Sequence, residues 1–172
     1  MASDAPGWAL TIAYWLHMLA TVVWIGELAA FSLLVVPIVR SSLPPELQAR
    51  FLQKVQARIQ QVGWFCLGVL VVTGMFQMSA HPSYEGFLAI SNPWSLAILL
   101  KHAAVGIMIL FSAYLTWGIN PLLQRLLLVQ SRGGETPPGQ LARLQQREIL
   151  FWRLNFAVSI LVLALTAWAR AA

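Results

Sequence analysis

His17, Glu27, Lys101 and His102 stand within long apolar runs, and His81 lies where one ends. An ionisable group inside a bilayer costs roughly 2.5 to 3.5 kcal/mol on insertion scales, so each is a functional hypothesis by default. A neutral imidazole ligates transition metals and haem iron. His17 and His102 are therefore candidate axial ligands, and Lys101 is a candidate contact for a haem propionate or another anion. The plain alternatives are interhelical hydrogen bonds for the histidines and a lysine that snorkels to the headgroups. Glu27 can pair with a basic group or carry protons. Met75, Met78 and His81 form a second candidate metal group, since thioethers favour Cu(I); methionines in membrane helices also serve simply as packing. Asn155 suits an interhelical hydrogen bond. No nucleophile–base pair, phosphate loop or pair of carboxylates is visible, which argues against a hydrolase or kinase.

The elements that must position these groups are helices in a membrane. Of 172 residues 59% are apolar and 10% charged, where a soluble domain is about one quarter charged. A helix needs about 20 apolar residues to cross the hydrocarbon core. Four runs meet that need: 8–39, 62–80, 94–123 and 149–169. They predict an all-α, single-domain, up-down four-helix membrane bundle. The first run is longer than a perpendicular span requires, so it should tilt, bend near Gly26 or project from the bilayer. Pro37 should end or kink it. The N-terminal stretch carries Asp4 and no basic residue, which suits a retained span rather than a cleavable signal. Cys66 is the single cysteine, so no internal disulfide forms.

The connections differ in charge. Segment 44–61 carries Arg50, Lys54 and Arg58, and Leu47, Phe51, Val55 and Ile59 recur in it at near-helical spacing. It reads as an amphipathic helix leading into the second span, with Pro44 and Pro45 in its first turn and Ser42 as the cap. The third connection carries Arg125, Arg132, Arg143 and Arg147 around a Gly- and Pro-rich centre, 131–140, expected to be a loop. The middle connection, 81–93, has Glu85 and no basic residue. By the positive-inside rule the termini and the middle connection face out, in a bacterial inner membrane. Trp8, Trp94 and Trp168 would mark the outer interface, and Trp64, Trp117 and Trp152 the inner one. Charges confined to two connections fit membrane topology, not a nucleic-acid-binding face.

Depth then relates the histidines. His17 lies nine residues after Trp8 and His102 eight after Trp94, on two spans that run in the same direction. At about 1.5 Å per residue both imidazoles lie roughly 12 to 14 Å below the outer belt. Spans one and three of such a bundle are diagonal neighbours, roughly 11 to 14 Å apart, which suits two imidazoles on one iron. Small residues flank both: Ala13, Ala20 and Thr21 beside His17; Ser95, Gly106 and Ala113 beside His102.

Leu16-His17, Trp24-Ile25-Gly26 and Pro37 resemble the first helix of the copper-resistance D (CopD-like) membrane family. Val71-Val72-Thr73-Gly74, Leu99-Leu100-Lys101 and Leu163-Ala164-Leu165-Thr166-Ala167 are similar to motifs of its later helices. The resemblance implies copper handling, although the chain has no dense Met or Cys ladder. The His17-to-Trp24 spacing also resembles HemJ, a haem-associated membrane family, but Pro37-Ile38-Val39-Arg40 stands where that family has Leu-Pro-Arg-Leu.

Three readings follow. The first is a b-type haem protein for electron transfer near the outer face, with His17 and His102 as ligands and quinone or a redox protein as partner. The second is copper transport or tolerance using His17, Met78 and His81. The third is an accessory subunit of a larger membrane complex or homo-oligomer, in which the polar cluster only fixes helix packing.

Overall fold

The computed structural model describes residues 6–88, 90–134, 137 and 139–171. Asp4 and part of the third connection's centre lie outside them. Among the described residues all regular structure is helical, and four helices are long and apolar enough to cross a membrane. Span one is Gly7–Ser42, span two lies within the helix Pro45–Ser79, span three is Pro93–Ser131 and span four is Gln140–Ala171. Helices satisfy every backbone polar group internally, which is what a hydrocarbon solvent demands. We call the end with both termini and the middle connection the terminal end, and the opposite end the basic end.

Helix boundaries follow from local chemistry. Asn92 caps span three: its side chain accepts from the Ser95 amide at 2.8 Å, while Ser95 Oγ accepts from the Asn92 amide. Span two begins at Pro45 after Pro44, and the expected amphipathic segment runs into it as one helix of 35 residues. Ser42 is not its cap; it ends the preceding helix, and Pro44 occupies the capping position without a side-chain bond.

Pro37 does not end span one. The chain stays helical to Ser42, and the irregularity is a π-helical segment at Ala30–Val35, beyond Gly26. Span three repeats the device, with a π segment at Tyr114–Ile119 ahead of Pro121. A proline ring clashes with the carbonyl four residues earlier and offers it no donor. Those carbonyls belong to Leu33 and Trp117, both within the widened turns, so each π segment accommodates its proline as membrane helices permit.

Spans one and two pack along most of their length, as do three and four. Between these two hairpins contact is thinner: span one touches span four, and span two meets the basic end of span three. Spans one and three are therefore diagonal, as the depth argument requires. Lipid is as apolar as leucine, so close packing and polar bonds hold the bundle together. Phe31 and Trp152 meet at 4.4 Å between ring centres, surrounded by Leu28, Val36, Met108 and Leu115, all at most 3% exposed. Trp152 is thus core and not an interfacial anchor. Trp94, also expected at the interface, is buried against His81, whereas Trp8, Trp117 and Trp168 do face outward.

Candidate functional site

His17 projects from span one onto span two, where Thr73 and Gly74 receive it. The Thr73 hydroxyl donates to the Val69 carbonyl at 2.6 Å. Its oxygen, 2.9 Å from His17 Nδ1, must therefore act as acceptor, so Nδ1 carries the ring proton. Gly74 gives the ring its place: a Cβ there would stand 3.2 Å from His17 Cε1. Gln77 reinforces the register by donating to the Ala13 carbonyl at 2.9 Å. Ala13 and Ala20, expected beside His17, are buried in this seam.

His102 is held by its own helix. Its Nδ1 lies 2.7 Å from the Ile98 carbonyl, which can only accept, so this ring is also protonated at Nδ1. Phe87, from the middle connection, packs edge-on against it at 5.4 Å between ring centres. Both imidazoles thus donate through Nδ1, and the Leu70 carbonyl also lies within reach of the His17 ring. A histidine that ligates a metal through Nε2 shows the same arrangement, with the other nitrogen donating to a carbonyl or another fixed acceptor. Lys101 and His102 both act electrostatically on the His17 ring across the bundle, toward its terminal end; no hydrogen bond joins the three among the described residues. Arg170, near the end of span four, acts in turn on Lys101. In the first part of span three, Pro93–Ala113, the buried side chains include Ala97, Ala104 and Met108; of the three small residues expected beside His102, Ser95 serves the helix cap.

The second candidate metal group is placed differently. Met78 is buried, Met75 is 47% exposed, and His81 stacks flat on Trp94 at 4.1 Å. The Ser83 amide donates to His81 Nδ1 at 3.2 Å, so that lone pair is used and Nε2 holds the proton. Burial against Trp94 also holds the His81 pKa below the ordinary histidine value. Among the described residues, no three His, Cys, Asp or Glu side chains converge as a metal-holding group.

A further polar region lies nearer the basic end. Asn120 bridges spans two and three, donating to Gln60 Oε1 at 2.7 Å and accepting from Gln56 Nε2 at 2.9 Å. Asn155 donates to Ser112 Oγ at 3.0 Å, the interhelical bond expected of it. Glu27 faces Gly63 across the seam of spans one and two, where a Cβ would collide with its carboxyl. Among the described residues no charged partner acts on Glu27, so of its two readings the pairing with a basic group finds no partner there. The Gln56–Gln60–Asn120 group was not anticipated. Its signal was two glutamines one turn apart on the second helix and an asparagine directly before Pro121.

Residues 53–169 match the profile of a family described as Copper resistance protein D. The match includes Thr73, Gly74, Lys101 and His102, and begins after His17. It speaks for the copper reading and offers nothing for haem b or for the resemblance to HemJ. No curated protein and no solved structure matches the chain.

Proposed function

The chain belongs to the copper resistance protein D family, and from that premise we propose that it carries copper ions at the terminal end of the bundle, bound between His17 and His102. One observation supports this reading above the rest: both rings donate through Nδ1, the arrangement of an Nε2-ligating histidine, and His102 acts electrostatically on the His17 ring. Imidazole is a good copper ligand, and Cu(I) tolerates low coordination numbers, so two nitrogens form an adequate transient site. Lys101, with Arg170 behind it, opposes a further positive charge, which suits release over storage. The terminal end is the outer face of a bacterial inner membrane in this reading, from the loop charges.

The test is Cu(I) competition against a chromophoric chelator, on detergent-purified protein under reducing conditions. His17→Ala and His102→Ala should each abolish tight binding, while Met78→Ala with His81→Ala should leave it unchanged. Wild-type protein that cannot compete, or binding that survives both histidine changes, defeats the proposal. A second reading keeps one supporting observation: the cationic Lys101–Arg170 pair suits the propionates of a b-type haem held by the same imidazoles, with quinone or a redox protein as partner. An oxidised and reduced absorption spectrum of the same preparation distinguishes the two.

A further inference from the structure

A small, partly open cavity with room for about one water molecule lies among the four spans on the basic side of the histidine site. Glu27 lines it together with Gln60, Ser112, Trp152 and Asn155. Trp152 is 3% exposed and Asn155 1% exposed, yet Trp152 Nε1 and Asn155 Oδ1 have no hydrogen-bond partner, and neither does Gln60 Nε2. Buried polar atoms at such depth are costly unless they are hydrogen-bonded. Three of them on one cavity wall therefore point to a polar occupant.

The chemistry of the wall identifies that occupant. The Trp152 N–H and the Gln60 amide N–H groups are donors, which disfavour a bare cation. Asn155 Oδ1 is an acceptor, which disfavours a simple anion. Water satisfies both kinds of group, and a cavity of this size and polarity has room for it. The same mixture serves a carboxyl in either protonation state: the donors solvate a carboxylate, and the acceptor receives the proton of an acid. Cys66 of span two is the titratable neighbour that senses Glu27, and no charged side chain of the other spans acts on it among the described residues.

We propose that Glu27 is an internal proton-exchange site, taking up a proton from, and returning it to, water held by Trp152, Gln60 and Asn155. The step is a transfer between hydronium and carboxylate, giving water and carboxylic acid. From Gln60 the buried polar chain continues through Asn120 and Gln56 to Glu148, so the site has a polar route toward the basic end. This inference does not depend on the copper reading.

Infrared difference spectroscopy of the full chain in lipid nanodiscs tests it. On a pH titration a carboxylic-acid band should appear, vanish in Glu27→Gln and shift promptly in heavy water. Trp152→Phe removes a donor to the water that solvates the carboxylate and should raise the midpoint by up to about one pH unit. Asn155→Leu removes an acceptor for the acid and should lower it. Shifts of opposite sign are not expected from general loosening, and circular dichroism confirms that each variant is folded. A band that persists in Glu27→Gln, the absence of titration, or slow deuterium exchange overturns the proposal. Midpoint shifts of the same sign in the two flanking variants do so as well.

Discussion

Thr73 passes its own proton to the Val69 carbonyl and accepts the Nδ1 proton of His17, so one hydroxyl of span two fixes which nitrogen of a span-one imidazole is free. Gly74, the next residue, clears the space in which that ring lies. A Thr-Gly pair legible in the sequence only as part of a family-like motif thus has two distinct jobs toward one histidine.

Thr73→Val keeps the shape and removes the acceptor. Copper affinity should fall about 10- to 100-fold, the usual cost of losing a group that orients a ligand. Gly74→Ala should also weaken binding, by displacing the ring a few tenths of an ångström. Chelator competition measures both. Unchanged affinity in Thr73→Val would show that the hydroxyl does not govern the ring.

The Asn120 bridge gives a stability prediction. Asn120→Leu strips Gln56 Nε2 and Gln60 Oε1 of their partners, at a cost of about 1 to 3 kcal/mol for a buried group left unmade. Gln56→Leu combined with Asn120→Leu should cost less than the sum of the single changes, because the pair interacts. Reversible unfolding in mixed micelles reads the difference; strict additivity would count against the bridge.

His81 supplies a pH dependence. Its folded pKa is below the unfolded value, because burial against Trp94 disfavours the cation. The unfolded state therefore binds more protons near and below the ordinary histidine pKa of about 6.5. The stabilisation is complete above that value and is lost as pH falls through the window beneath it. Protonation also removes the Nδ1 acceptor used by the Ser83 amide. Acidification should loosen the middle connection, seen as faster amide exchange around Ser83, and His81→Phe should keep the stack on Trp94 and suppress the pH effect.

Orientation is tested with fused reporters. The loop charges place a reporter after Arg132 in the cytoplasm and one after Tyr84 outside. The reverse pattern would put the histidine pair at the inner face and turn the copper reading from uptake at the outer surface to handling at the inner one.

The spans and the parallel course of spans one and three were legible, because run length and the number of crossings report them directly. Which side of a helix faces inward was less legible. Trp94 and Trp152 sit at depths where an indole suits the interface, and only packing reveals that both face inward. Gln56, Gln60 and Asn120 were hidden for another reason. Counting about 20 residues per span leaves Gln56 and Gln60 in a connection, whereas the helices run on to 32 residues or more and bring all three into the interior. The tautomers of His17 and His102 depend on partners 56 and four residues away; the distant one lies on another span, beyond the reach of local spacing.

The paired π segments carry a consequence for how this chain tolerates change in length. A π turn accommodates more residues than an α turn, so Ala30–Val35 and Tyr114–Ile119 each store slack in helical phase. Deleting one residue inside either segment can tighten it to an ordinary α turn while the faces before and after stay aligned with their neighbours. The same deletion elsewhere in these spans rotates everything beyond it by about 100° and turns buried residues toward lipid. Single-residue loss should therefore keep helical phase at these two places, at the cost of restoring the clash before Pro37 or Pro121, while in the regular stretches around His17 and His102 it loses phase as well.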